Sequence, residues 1–420
     1  MSSEDIGRVE SITRRQDSWR LGQTINLIAS ENVLSARARA LLSSDFNHRY
    51  AEGHPGARYY EGTRHIDTIE AEVRTISGTN ANDTVFATQV PKDAPVVVNS
   101  LPGGSHISHQ KFGGMGKYTQ NIHHFPRRPD GYGIDVPKAK DLLHEVKPKV
   151  VIFGKSLFLF PEPLKELIPV AREAGATILY DGAHVLGLIA GGRFQDPLGD
   201  GADLVMGSTH KTFPGPQRGV ILSNWPEDRW KPVDKMAFPG CLSNHHLMTL
   251  PPLLVTAIEM EEFGKAYAAQ VIANARHFGR ALQGQGFDVE CADLGFTESH
   301  QIAVNVRKYG GGGKASEVLT ANDIIVNRNL LPQDPPKQVN NPSGLRLGAQ
   351  EMTRWGMKEP EMEEIARLMK GCIIDGASVK EEVNRFRARF SEVHFSHDNP
   401  GDSKSSAPKS DPLDMDMAGY

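Results

Sequence analysis

Apolar positions along the chain follow two alternating patterns. Residues 150–153 (ending at Gly154), 176–180 (ending at Asp181) and 202–206 (ending at Gly207) are short continuous apolar runs, the signature of strands buried on both faces. Between them, residues 163–174 place Leu164, Leu167, Ile168 and Val170 at helical spacing. The alternation predicts an α/β layer around a mostly parallel sheet. Such sheets take ligands beyond the carboxyl ends of their strands, where Ser156, Asp181 and Lys211 fall. Upstream, residues 5–20 carry Ile6, Val9, Ile12 and Trp19 at helical spacing in a charged background, an arm suited to lie on another surface. Ser35 opens a helix at 36–42, and residues 47–63, rich in Gly, Tyr, His and charge without period, form a functional loop.

After Pro251-Pro252 the texture changes. A long amphipathic helix over 253–284 precedes strands near 286–289, 301–306 and 345–348, a glycine turn at 310–313, and helices at 317–321, 360–369 and 379–390. This is an α+β lobe, and from Ser396 the chain is polar and aperiodic, a disordered tail. The expected organisation is an arm at 1–33, a large domain at 34–250, a small C-terminal α+β domain at 251–395 and the tail at 396–420.

Composition narrows the classes. The 420 residues suffice for two domains without staples, and 47 basic against 51 acidic residues lack the basic excess of a nucleic-acid binder. No apolar run approaches the roughly 18 residues of a membrane span. The start, Met1-Ser2-Ser3-Glu4-Asp5, is neither a secretory signal nor a transit peptide. Cys241, Cys291 and Cys372 are few and scattered, which fits a reducing, cytoplasmic setting. The pairs His106/His109, His123/His124 and His245/His246 have no cysteine or carboxylate companions at zinc spacing, so no metal is expected.

Candidate chemistry centres on Ser208-Thr209-His210-Lys211-Thr212 after a strand, thirty residues beyond Asp181. Burial lowers a lysine's pKa and frees its amine to attack a carbonyl. Pyridoxal phosphate needs such a lysine, and an acid to keep its ring nitrogen protonated, a role Asp181 suits by type and placement. On spacing alone the pair is equally compatible with a surface lysine and a capping aspartate.

Longer runs decide further. Residues 27–32 (LIASEN), 49–62 (RYAEGHPGARYYEG), 102–109 (PGGSHISH), 156–161 (SLFLFP), 180–192 (YDGAHVLGLIAGG), 208–217 (STHKTFPGPQ), 238–246 (FPGCLSNHH) and 344–359 (GLRLGAQEMTRWGMKE) are collinear with one family. By these runs the chain resembles serine hydroxymethyltransferases of the archaeal-type branch, within the fold type I (aspartate aminotransferase) superfamily of pyridoxal-phosphate enzymes. The resemblance implies a mostly parallel, seven-stranded-type sheet in the large domain and a smaller α+β domain. It implies that Lys211 bonds the cofactor, Asp181 pairs with its ring nitrogen and His106 stacks on its face. Ser156 and His184 would sit at the ring's phenolic edge, and Ser77, Gly78 and Thr79 would hold its phosphate. Ser208, His210, Ser243 and Tyr50 would complete the cofactor shell. Arg346 would clamp the substrate carboxylate with help from Ser30, and Glu52 would act as acid/base near a tetrahydrofolate-type pterin. Tyr50 and Tyr60 would reach a neighbouring subunit, implying a homodimer, or a tetramer of such dimers. The implied reaction exchanges serine and glycine.

The pattern also departs from the family. Between residues 66–70 and Ser77 the family carries a helix and then a strand, whereas residues 71–76 leave room for about a strand alone, a shortfall expected to disturb the phosphate site or the dimer interface. Ser105 replaces a glycine, Trp355 stands where an arginine or aliphatic residue is usual, Lys155 adds a cation expected at the ring edge, and Arg218 replaces a glycine soon after Lys211. Lys155 and Arg218 are expected to shift substrate preference. Two alternatives stay open: a threonine aldolase or transaldolase, and a non-catalytic paralogue.

Overall fold

Strand residues in this chain sort by parity into two cores. The computed structural model describes residues 3–67 and 73–398. Its larger sheet comprises β1 (Val96–Val98), β2 (Ile122–His124), β3 (Val150–Phe153), β4 (Thr177–Asp181), β5 (Leu204–Ser208) and β6 (Gly219–Leu222), in the order β2-β1-β3-β4-β5-β6. All neighbours are parallel except β5–β6. Successive side chains point to opposite faces. Thus Val96, Val98, Val150, Ile152, Leu179, Leu204 and Met206 pack with Val85 and Phe86 of helix α2 (Gly78–Gln89). Val97, Val151, Phe153, Ile178, Tyr180 and Val205 face Leu164, Leu167 and Ile168 of α3 (Leu164–Glu173). Burial on both faces is why these strands read as continuous apolar runs.

The sheet has six strands among the described residues rather than seven. Where the seventh would lie, segment 73–76 makes one backbone bond to β6, Gly219 N–H to Thr75 O at 2.9 Å, in place of a ladder. Residues 68–72, inside the shortened stretch, lie outside the described residues.

The second sheet is antiparallel: β7 (Asp288–Val289), β8 (Gln301–Asn305), β9 (Asn327–Asn329) and β10 (Gly344–Gly348), ordered β7-β8-β10-β9. Its core includes Ile302, Val304, Leu345 and Leu347, packed with Ile365 and Met369 of α5 (Glu359–Ile373). Ile25, Leu27 and Val33 belong to the same core, and Ile25–Asn26 pairs in parallel with Ile324–Ile325. The end of the N-terminal arm is therefore built into this lobe. Helix Ser3–Gly22 leaves Ile6, Val9 and Ile12 exposed, while Trp19 Nε1 donates to Asp323 Oδ1 at 2.8 Å. Helix α4 (Leu250–Gly284) serves both cores, giving Met260, Tyr267 and Val271 to the first and Ala275, Phe278 and Leu282 to the second.

Two local expectations change. The glycine turn at 310–313 shrinks to Gly310, whose φ of 96° leads directly into helix Gly311–Ala321. Asn341 Oδ1 accepts from Gly313 N at 2.9 Å, supplying a cap the glycines lack. The expected tail also begins later: Ser396 is fully buried, and Asp398 accepts from Arg37 N at 3.2 Å. Residues 399–420 lie outside the described residues. None of the described helices is long and apolar enough to cross a membrane.

The C-terminal strap converges on a buried ion pair, Arg354 Nη2 to Glu259 Oε2 at 2.6 Å, and Arg354 Nη1 also donates to His394 O at 2.9 Å. Breaking one side of such a pair strands a buried charge. Arg354→Met is expected to lower the unfolding free energy by about 3–5 kcal/mol, and adding Glu259→Leu to recover part of that loss. Urea denaturation of the two variants checks both; equal stabilities of Arg354→Met and the parent would contradict the pair's role.

Candidate active site

The carboxyl ends of β4 and β5 deliver Asp181 and, three residues past β5, Lys211. Asp181 is buried, and both its oxygens are engaged. Oδ1 accepts from Ala183 N at 3.0 Å; Oδ2 accepts from Asn82 Nδ2 and His109 Nε2, both at 2.9 Å. Burial pushes its pKa up, but the hydrogen bond and charge of His109, with Asn82, outweigh this and hold the carboxyl below its usual range. Asp181 therefore remains an anion inside the protein. His106 lies beside this group, its ring 6.1 Å from that of His109 and its Nδ1 accepting from Ser108 N at 3.2 Å. Burial lowers His106 to about 4, so its ring is neutral at neutral pH.

Lys211 is held through its backbone neighbours. Asn32 Nδ2 donates to Lys211 O at 2.6 Å, Thr212 Oγ1 donates to His184 O at 2.8 Å, and Thr209 Oγ1 donates to Pro216 O at 2.6 Å. Burial lowers the Lys211 ammonium to about 8; Asp181 opposes that shift and Arg346 adds to it. A large share of the amine is thus unprotonated just above neutrality. His210 next to it is lowered to about 4 by burial.

The smaller sheet contributes the opposing wall. Arg346 on β10 donates from Nη1 to Ser156 O at 2.8 Å and Ser156 Oγ at 2.9 Å, and from Nε to Asn327 Oδ1 at 3.1 Å on neighbouring β9. Burial lowers it to about 10, so it remains a cation. His184 Nε2 stands 3.4 Å from Ser156 Oγ, and Gln301 of β8 lies 2.9 Å from His184 Nδ1. Burial, and then the charges of Lys211 and Arg346, push His184 well below the usual histidine range.

A third element faces β5. Ser77 caps α2, its Oγ accepting from Asn80 N at 3.0 Å, so the amides of Gly78 and Thr79 open the helix without intrahelical acceptors. A Cβ on Gly78 would lie 2.3 Å from Ser208 Oγ, so only glycine lets the helix start meet the end of β5. The result suits a bound anion.

The other expected residues gather elsewhere. Ser243 Oγ donates to Glu52 Oε1, and Tyr50 and Tyr60 meet at a tilt of 48° with centroids 5.2 Å apart, both about half exposed. None of these contacts reaches Lys211 or Asp181. Ser30 lines a cavity of about 690 Å³ together with Asn32, His210 and Gln217. A wider cavity of about 1020 Å³, bounded by Arg128, Phe160 and Glu166, shares no residue with the site.

Two expected substrate-facing cations point away. Lys155 Nζ donates to Tyr132 O at 2.7 Å and stands 3.6 Å from Glu162, fully buried, so it adds no charge at the ring edge. Arg218 donates to Val73 O at 2.8 Å, His246 O at 2.8 Å and Thr249 Oγ1 at 2.7 Å, which makes it a brace beneath the site. Ser105 joins the His109 surroundings, accepting from Gln110 Nε2 at 3.1 Å, and Trp355 lies 4.3 Å from the Arg387 guanidinium. Asn82, His109, Asn327, His300 and Gln301 escaped assignment from sequence. Only Gln301, a polar residue heading the apolar run 302–304, carried a local hint.

Comparison with known proteins identifies the family. The family model described as serine hydroxymethyltransferase matches residues 3–75 and 70–369, two segments that meet at the shortened stretch. Relatives named serine hydroxymethyltransferase include one from Sulfolobus acidocaldarius, 46% identical over 94% of this chain and 95% of its own length. Another, from Thermococcus kodakarensis, is 48% identical over 91% of this chain and 94% of its own length. Among solved structures, L-threonine transaldolase from Pseudomonas fluorescens in its internal aldimine state superposes with a TM-score of 0.83 at 28% identity, covering 94% of each chain. The chain belongs to the serine hydroxymethyltransferase family.

Proposed function

We propose that this enzyme interconverts serine and glycine with pyridoxal phosphate carried on Lys211, passing the one-carbon unit to a tetrahydropterin of the tetrahydrofolate type. The observation that carries the reading is the meeting, at one sheet end, of a buried anion (Asp181), a buried amine lowered to about 8 (Lys211) and a buried guanidinium (Arg346). The donor set fits the cofactor. The start of α2 with Ser77, Gly78, Thr79 and Ser208 suits a phosphate dianion, and Asp181 suits a cationic ring nitrogen. When bound, pyridoxal phosphate supplies an electron sink for cleavage at the substrate α-carbon.

The chain's own groups divide the remaining work. Arg346 is the cation proposed to receive the amino-acid carboxylate, donating from Nη2 while Nε and Nη1 hold Asn327 and Ser156, with Ser30 assisting. Its orientation is fixed by Asn327 and the Ser156 carbonyl. Neutral His106, near enough to Asp181 and Lys211 for both charges to act on it, is the ring proposed to stack on the cofactor, with His210 and Ser156 proposed to complete its surroundings. Asp181 stays ionised and so keeps a partner N–H protonated. Glu52, held by Ser243, is the group proposed to move the hydroxymethyl proton on the pterin side. The exposed Tyr50, Tyr59 and Tyr60 support a homodimer in which this loop completes a neighbouring site. Three free cysteines support a cytoplasmic setting.

The transaldolase likeness favours a second reading, folate-independent aldol chemistry, but at 28% identity against 46% and 48% it is the more distant relation. Glycine–serine exchange measured with and without tetrahydrofolate separates the two: strong stimulation is expected, and indifference to folate with use of aldehyde acceptors would overturn the proposal. Lys211→Ala is expected to abolish both cofactor absorbance and the borohydride-stable adduct. A preserved adduct would move the bond to another lysine.

The lowered Lys211 pKa sets a pH dependence. Because the neutral amine attacks, the rate of pyridoxal-phosphate uptake by cofactor-free protein is expected to rise with pH and level off above about 8. A rise continuing beyond pH 10, read by stopped-flow absorbance, would show that the lysine is not desolvated. Arg346→Lys keeps the charge but loses the Asn327 and Ser156 anchors that aim it, and it is expected to raise KM for serine by about tenfold or more while cofactor binding persists. An unchanged KM would remove Arg346 from the carboxylate site.

A further inference from the structure

Gln301 opens β8, is fully buried, and its carboxamide orientation is fixed by chemistry. The atom 2.7 Å from Phe158 N must accept, so it is Oε1, and the Nε2 amino group faces the site. Three acceptor positions surround that amino group: Ser156 O at 3.0 Å, His184 Nδ1 at 2.9 Å and His300 Nε2 at 3.3 Å. His300 Nε2 is itself 3.1 Å from Ala29 O, which can only accept, so His300 carries its proton on Nε2 and is no acceptor for Gln301. The two Gln301 hydrogens are therefore directed to Ser156 O and His184 Nδ1.

The opposite edge of His184 closes in the same way. The two hydrogens on Arg346 Nη1 are taken by Ser156 O and Ser156 Oγ, leaving none for His184 Nε2 at 3.5 Å. We propose that Gln301 is a positioning residue that locks His184 as the neutral Nε2–H tautomer, so that His184 donates toward Ser156 Oγ and the Ser156 hydroxyl hydrogen is left for an oxygen of the bound ligand. Ser156 Oγ then accepts from both Arg346 and His184, and its own O–H meets no acceptor among the described residues. The lock also opposes protonation, because a proton on Nδ1 would face the Gln301 amino group. The strongest charges acting on His184 from the packed elements are those of Lys211, Arg346, His300 and His106, none of them an anion, while the anion Asp181, three residues upstream, is engaged by Ala183 N, Asn82 and His109.

This inference rests on the proposed active site for its consequence, but the tautomer belongs to the chain alone. The test is ¹⁵N-histidine spectroscopy of the cofactor-free and cofactor-loaded protein, with His184 assigned through His184→Gln. A pyridine-type Nδ1 and a protonated Nε2, constant from pH 6 to pH 8.5, support the lock. A protonated Nδ1, or a ring titrating within that range, overturns it.

Gln301→Glu tests the cause. A carboxylate can still accept from Phe158 N and also from an Nδ1–H, so this variant is expected to invert the tautomer and raise the His184 titration by about two pH units. Gln301→Met, which leaves Nδ1 without a donor, is expected to give a mixture of tautomers. A fixed Nε2–H form in both variants would overturn the role of Gln301 even with the parent spectrum as expected. If Gln301→Glu does not fold, Gln301→Met decides. Should the protein bind no pyridoxal phosphate, the proposed function falls, while the cofactor-free spectrum still judges the lock.

Discussion

A carboxylate removed from water must recover its hydration from the protein, and Asp181 does so with three donors from three places in the chain. Ala183 N comes from its own turn, Asn82 from α2, and His109 from the turn that follows His106. Each donor fixes an element that the site needs. Asn82 sets the rotation of the helix whose first turn holds Ser77 and Gly78, and it also donates to Ser108 Oγ at 3.0 Å, tying that helix to the His106 segment. The buried charge therefore organises the anion-binding helix start, the flat histidine face and the end of β4 around one point.

The second wall is bound to the first by polar contacts rather than by shared apolar surface alone. Gln301 and Arg346 stand on neighbouring strands of the smaller sheet, and both reach Ser156 O beyond β3 of the larger one. A single carbonyl of the larger lobe thus accepts from two residues of the smaller one. Helix α4, which contributes to both cores, makes the junction stiff, and Tyr267 on it holds Asn32 beside Lys211 with a 2.9 Å bond. Displacement between the lobes would break several buried hydrogen bonds together, each net worth about 1 kcal/mol when exchanged with water and more when a partner is left unsatisfied.

Much of this was legible in the chain. Buried parallel strands announce themselves as unbroken apolar runs, and Asp181 and Lys211 follow such runs directly, so their place at the sheet end could be read before any geometry. What could not be read was side-chain direction over long separations. Asn82 and His109 reach Asp181 across 99 and 72 residues, and Gln301 reaches His184 across 117, with nothing local to mark them. The same limit explains Lys155 and Arg218. Their sequence neighbours belong to the site, but long flexible stems carry their charges to Glu162 and Val73 instead. Nearness in the chain predicts where a Cα lies, and for a lysine or arginine that leaves the charge undetermined by several ångströms.

Two departures that looked independent along the sequence meet in one contact. The shortened stretch leaves segment 73–76 without the full ladder that a strand beside β6 would have. Its Thr75 carbonyl is met by the backbone of Gly219, and its Val73 carbonyl, two residues earlier and so on the same edge, is met by the Arg218 side chain. The arginine thus extends the edge of β6 by one hydrogen bond beyond the reach of the backbone. Its remaining donors are anchored on His246 O and Thr249 Oγ1, so the brace is itself held. A Cβ on Gly219 would lie 2.3 Å from Ser77 O, so the same two positions that brace the segment also let it approach closely enough for Ser77 to begin α2. The helix start proposed to hold phosphate depends on that approach, which makes Arg218, anchored outside the candidate site, part of the reason the site keeps its shape.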